Sequence, residues 1–188
     1  MTIFGLTPSQ TVGPYFAIGL PWPEGPHAVA EGTPGAFTIT GTIYDGSGAP
    51  IPDHLLEIWQ ADPDGRFADA HGHGGASMMD GFRGFARYGR ESGDGTYEIL
   101  TVKPGRLPTP AGRLQAPHVD VSLFARGMLS RVVTRIYFGD EEQANAEDPV
   151  LARVPAERRG TLIAVPEGGG YRFDIRVQGP GETVFFAV

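Results

Sequence analysis

The sequence has 188 residues, no cysteine, a formal net charge of −7 and a pI near 5.2. That length suits one domain with a core of its own, the missing thiols exclude disulfides, thiolate ligands and a thiol nucleophile, and an acidic chain without any Lys/Arg block is a poor partner for nucleic acid or an anionic membrane. With 28 glycines and 17 prolines, the composition points to many short strands joined by turns.

Residues 1–35 carry no periodicity and are studded with "TPSQTVGPYF", "GLPWPEGPH" and "GTPGA". A Pro/Gly-rich arm of this kind is ordered only by lying against something else, and its aromatics Tyr15, Phe16 and Trp22 favour that outcome. The amino terminus has neither a basic n-region nor an apolar h-region, and no run approaches the ~20 apolar residues of a membrane span, so a cytoplasmic protein is expected.

From Phe37 the alternation becomes regular. "FTITGTIYD" reads as a strand followed by a Gly/Pro turn, and "HLLEIWQAD" as a second strand ending at "DPDG". The stretch "GRFADAHGHGGASMMDGFRGF" has no period and reads as a long irregular loop. "TYEILTV" returns to strand, "KPGRLPTPAGR" is a rigid connection, and "APHVDVSLFA", "SRVVTRIYFG" and "YRFDIRVQ" are three further strands. One short helix is expected around "DEEQANAEDPVLARV", with Asp140 or Asp148 as cap, and "GETVFFAV" is a last strand or an apolar tail. The expected architecture is all-β: a single β-sandwich domain over 1–188, of mixed strands with long loops, one short helix and an extended amino-terminal arm.

His118 and Asp120 lie two apart in a strand, so both side chains leave the same face and could share a ligand. H-x-D is a metal-ligand spacing. An Fe(II) facial triad would add a histidine downstream, whereas His27, His54, His71 and His73 all lie upstream of the pair. His71 and His73, flanked by glycines in "AHGHGG", read as a solvated loop more readily than as a metal clip, and His27 and His54 as surface or strand-edge residues. No G-x-S-x-G, P-loop or dinucleotide fingerprint is present in a strand-to-helix setting.

In order and spacing, "GTIYDGSGAPIPDHLLEIWQADPDGRF", "DGTYEILTVKPG", "APHVDVSLFARG" and "TRIYFGDE" resemble the core of the intradiol ring-cleavage dioxygenases, which open catechols with ferric iron. The resemblance implies an Fe(III) site of two tyrosines and two histidines, since anionic phenolates offset the charge of a hard cation. The matching positions here are Phe67, Leu107, His118 and Asp120, so three of the four are changed and both phenolates are lost. Gln115 stands where catalytic members carry an arginine, which implies a site without its metal or its electrostatics. His118 and Asp120 then read as a hydrogen-bonded couple, with no metal in this chain.

The arm "TPSQTVGPYFAIGL" and the tail "YRFDIRVQGPGETVFFAV" resemble those of the family's iron-free alpha subunits, which pair with an iron-bearing beta subunit. This implies Fe(III) held by the beta partner, hetero-oligomers of alpha-beta protomers, a small aromatic acid (3,4-dihydroxybenzoate) as substrate, and no catalytic residue in this chain alone. It also implies that the 1–35 arm packs on the partner, and that Thr11, Gly13, Pro14, Tyr15 and Arg135 line the partner's pocket. A Gly-Pro step brings backbone close to a ligand, Tyr15 offers a flat apolar face with a polar tip, and the guanidinium of Arg135 suits a carboxylate. On this reading arm and tail need a large interface, and the isolated chain is inactive and poorly behaved. The competing readings are a self-sufficient metal-dependent dioxygenase using His118, Asp120 and His71 or His73, and a non-catalytic binding module on the same sandwich.

Overall fold

The computed structural model describes residues 13, 15–68, 76–90 and 93–187. Strands form where apolar and polar residues alternate: β1 (Phe37–Tyr44), β2 (His54–Trp59), β3 (Phe85–Arg90), β4 (Thr96–Thr101), β5 (His118–Ala125) and β6 (Val132–Phe138). Three short strands follow, β7 (Ile163–Glu167), β8 (Gly170–Arg172) and β9 (Ile175–Arg176). They hydrogen-bond in the order β3-β2-β5-β6-β7-β8-β1-β4, with β9 beside β1. Pairing is mostly antiparallel, with parallel joins at β6–β7, β1–β8 and β1–β9, so the sheet is mixed as the sequence implies.

Along β5, Val119, Val121 and Leu123 point inward, and their counterparts are Leu56 and Ile58 on β2 and Ile136 and Phe138 on β6. They meet Ile39 and Ile43 of β1 and Tyr97 and Ile99 of β4 in one core, so the two halves of the sheet face each other as the layers of a sandwich. His118, Asp120 and Ser122, Glu57 and Trp59, and Val133, Arg135 and Tyr137 are left on the outer face.

β3 and β4 end the pairing path and would expose unpaired backbone. The arm covers both edges. Arg87 N–H donates to the Gly25 carbonyl at 2.6 Å and Arg83 N–H to that of Ala28 at 2.8 Å, while Ala28 N–H donates to Leu100 at 2.8 Å and Leu100 N–H to Pro26 at 3.0 Å. Gly25 is required there, because a Cβ would lie 2.8 Å from the Arg87 carbonyl oxygen and 3.0 Å from that of Trp22. The arm from Gly25 onward therefore pairs with its own chain's sheet. Before it, the helical turn α1 (Tyr15–Gly19) presents the most exposed apolar side chains of the described arm, with Tyr15 at 78% and Ile18 at 59% exposure.

Other expectations change for physical reasons. The stretch 65–85 ends in a turn feeding β3, an edge strand carrying two arginines and a glycine, whose inward face offers little periodic signal beyond Ala86. "YRFDIRVQ" is divided between β8 and β9, and β7 is a strand although Pro166 interrupts its pattern. The tail is no strand, yet it is tied down within the chain: Phe186 N–H donates to Val133 at 2.8 Å, and Val184 and Phe186 pack on a second cluster around Tyr137, Leu151 and Leu162. The helix is α2 (Glu142–Glu147), followed by 3₁₀ turns at Leu151–Arg153 and Ala156–Leu162. Asp140 does not cap α2, whose N-cap is Glu141, and instead accepts from Lys103 Nζ at 2.6 Å; Asp148 is its C-cap, and its carboxylate also accepts from the N–H groups of Val150 (2.8 Å) and Leu151 (2.6 Å) at the next turn. His54, expected at the surface or a strand edge, opens β2 and is fully buried, with Nδ1 donating to the Ile51 carbonyl at 2.8 Å and its ring stacked on Tyr88.

Candidate functional site

The outer face of β2, β5 and β6 is laid out in rows by the register. Phe85, Trp59, Asp120 and Arg135 stand opposite one another across four strands, and His118 stands opposite Tyr137 one row away. The four positions of the resemblance converge here. Phe67 stacks on Trp59 with ring centroids 6.2 Å apart, and Leu107 accepts a hydrogen bond from Gln115 N–H at 2.8 Å, just before β5.

His118 and Asp120 share a face as expected, but the hydrogen bond expected between them is not made. His118 is buried and its Nδ1 lies 2.7 Å from the Ala116 carbonyl oxygen; a carbonyl only accepts, so Nδ1 carries the proton. Asp120 turns instead to Arg135, whose Nε lies 2.8 Å from Oδ1. Burial first, and the guanidinium of Arg135 second, push the His118 imidazole below its usual range and keep it neutral.

Arg135 is the centre of the arrangement. It also donates through Nη1 to Gln115 Oε1 at 2.8 Å and, more weakly, to the Tyr137 hydroxyl at 3.5 Å. A guanidinium from the neighbouring strand thus stands beside Gln115, paired with Asp120. Beneath it, Tyr137 Oη donates to the buried Asp148 at 3.3 Å, and Asp148 also accepts Ala116 N–H at 2.7 Å. Burial pushes the Tyr137 phenol up, so it stays protonated. One polar network therefore joins β5, β6 and the loop after α2.

These residues do not fit ferric iron in the family's manner. Phe67 and Leu107 carry no donor atom, and the two donors that remain, Asp120 and His118, are held by Arg135 and Ala116. Among the described residues no group of three or more His, Cys, Asp or Glu side chains could hold a metal. His71 and His73 lie outside the described residues.

A groove of about 490 Å³ runs along this face, walled by Trp59 and Phe85 on one side and by Val133, Val150 and Phe186 on the other, with Arg135 and Arg131 on its rim. Of the arm residues read from the sequence, Gly13 has the left-handed φ of 72° that glycine favours, and Tyr15 is exposed. Thr11 and Pro14 lie outside the described residues. The structure brings Arg135 to the Phe67, Leu107, His118 and Asp120 cluster, whereas Tyr15 lies on the separate turn α1. Sequence reasoning missed Tyr137 and Asp148; a tyrosine at the i+2 position from Arg135 on the same strand face was the available signal.

This polar network lies on the outer face of a mixed β-sheet folded into a sandwich, the fold the comparisons share. A family model described as dioxygenase matches residues 11–179. The chain belongs to the intradiol dioxygenase family, whose enzymes use non-haem Fe(III). It is 43% identical to a protocatechuate 3,4-dioxygenase alpha chain of Burkholderia cepacia over an alignment of 208 positions covering 100% of both chains. A beta chain of the same name and organism is 32% identical, over 84% of this chain and 71% of its own. Among solved structures, 3-chlorocatechol 1,2-dioxygenase of Rhodococcus opacus 1CP shares the fold with a TM-score of 0.60 at 16% identity, over 93% of this chain and 67% of that one. Among the described residues no helix is long and apolar enough to cross a membrane.

Proposed function

We propose that this chain is the iron-free alpha subunit of a cytoplasmic protocatechuate 3,4-dioxygenase, working as alpha-beta protomers in which the beta subunit holds Fe(III). The observation that carries the reading is the replacement of the ligand set by a self-satisfied network: hydrocarbon at Phe67 and Leu107, and an ion pair with Arg135 at Asp120. Its likeness to both an alpha and a beta chain supports descent of the two subunits from one iron-binding ancestor.

On this reading the partner opens the ring of 3,4-dihydroxybenzoate with O₂ to 3-carboxy-cis,cis-muconate, and this chain shapes the pocket. The segment Thr11, Gly13, Pro14 and Tyr15 lies on the partner, for which the exposed Tyr15 and Ile18 of α1 are suited. Arg135 is fixed by Asp120 and Gln115 through Nε and Nη1, and among the described residues its Nη2 has no hydrogen-bond partner. That edge is the one available to a substrate carboxylate, and its direction is set before substrate arrives. A self-sufficient enzyme would need donors that Phe67 and Leu107 lack.

The test is ring cleavage by the beta-type chain prepared alone and with this chain. The reading predicts efficient turnover of 3,4-dihydroxybenzoate only in the mixed complex. Equal kcat/KM with and without this chain contradicts it.

A further inference from the structure

We infer that Arg87, clamped by Glu57 and Trp22, is a positioning residue that fixes the end of the amino-terminal arm and thereby the pocket surface the arm presents to the partner. The inference rests on the proposed alpha-subunit reading and adds residues to which neither the sequence nor the comparisons assign a role.

Arg87 leaves the outer face of β3 opposite Glu57 on β2. Glu57 Oε1 accepts from Arg87 Nη2 at 2.6 Å and from Nε at 2.8 Å, with both side chains largely buried. The guanidinium carbon lies 5.3 Å from the ring centre of Trp22 and 5.6 Å from that of Phe85, and those rings stack 6.3 Å apart with planes 10° from parallel. Through Nη1, Arg87 donates to the Leu20 carbonyl oxygen at 3.2 Å. One planar cation thus uses its fork for the carboxylate, its face for the indole and its remaining edge for the arm backbone.

The position of that last contact separates it from simple sheet closure. Backbone bonds from Gly25 to Ala30 already tie β3 to β4. Leu20 lies ahead of them, immediately after α1, where a carbonyl at a helix end favours a cation. Pro21 reinforces the same spot, packing closely on Gly89: a Cβ there would lie 3.1 Å from Pro21 Cγ and 2.7 Å from Leu55 Cδ1. Tyr15 stands five residues before Leu20, across one short helical turn, so any freedom at Leu20 is passed directly to Tyr15 and Gly13. A segment that must be ordered on binding weakens binding by the cost of ordering it.

Two forms of this chain, each co-expressed with the beta-type partner, test the inference by KM and kcat for 3,4-dihydroxybenzoate: Arg87→Lys and a deletion of residues 1–19. Lysine keeps the charge opposite Glu57 but cannot also stack and reach Leu20. The inference predicts that Arg87→Lys raises KM about three- to ten-fold, the scale of leaving a mobile segment to be ordered at a binding surface, with kcat, iron content and the visible spectrum unchanged. It predicts that the deletion raises KM at least as much as Arg87→Lys does. If the deletion raises KM and Arg87→Lys leaves it at the parent value, the clamp is overturned while the alpha-subunit reading stands. If the deletion leaves KM unchanged, the arm shapes no pocket and both fall. A fall in kcat and iron content alongside the KM change in Arg87→Lys would mark general damage and overturn a positioning role.

Discussion

Arg135 Nε lies 2.8 Å from Asp120 Oδ1, directly across the β5–β6 ladder, so a cation faces the position where the family's resemblance places an iron ligand. The pair neutralises itself, and Gln115 completes it.

Arg135→Lys and Arg135→Ala separate charge from direction. In the assembled complex, Ala is expected to raise KM for 3,4-dihydroxybenzoate by about ten-fold, the scale of one charge-assisted contact, and Lys to recover only part of it because it lacks the planar fork. Asp120 is 44% exposed in its side chain, so the stability lost with the ion pair should stay at or below about 1 kcal/mol. Steady-state kinetics with a thermal melt on the same samples reads both.

Asp120→His restores one imidazole and nothing else. With hydrocarbon still at Phe67 and Leu107, no phenolate is available to compensate a ferric charge, and Arg135 is released as an uncompensated cation beside the new ring. Iron bound by the purified variant should therefore remain at background when measured by metal analysis. Stoichiometric iron in that variant would show that phenolates are dispensable here.

Two buried histidines give the chain a defined acid sensitivity. Burial holds both His54 and His118 below the ordinary value of 6.5, so in the folded state each binds fewer protons than in the unfolded chain. Their contribution is complete above pH 6.5 and is lost as pH falls below it towards the folded-state values. The melting temperature should fall between pH 7 and pH 5. His54→Asn, which keeps an N–H donor and gains no proton, should flatten that slope while lowering the plateau.

Gly25→Ala tests the stave that closes the sheet. A methyl group 2.8 Å from the Arg87 carbonyl oxygen has only backbone to push against. A destabilisation of about 1–3 kcal/mol follows, seen as a melting temperature lower by roughly 3–10 °C. An unchanged melt would mean that the arm is not held as described.

Much of this was readable from residues alone. The long strands announce themselves because Ile39, Val119, Val121 and Ile136 alternate with polar neighbours, and His118 and Asp120 share a face for the same reason. β3 and β7 were not legible, since Arg87, Gly89 and Pro166 break the pattern and pairing with a neighbour, not propensity, makes them strands. The fate of Asp120 was also hidden. Its partner stands 15 positions away, and only the register of two strands reveals that Arg135, not His118, completes it. The arm's attachment escaped for a similar reason, because contacts of Trp22 and Leu20 with Arg87 are non-local and leave no periodic trace.

The central claim, that this chain shapes a site whose iron belongs to its partner, is tested most directly by iron content and visible absorbance, measured on the chain alone and on its complex with the beta-type chain. Tyrosinate bound to ferric iron absorbs in the visible. The account predicts a colourless, iron-free single chain and a coloured complex with iron equal in number to its beta chains. Stoichiometric iron in the isolated chain would contradict it and make His118 and Asp120 ligands after all.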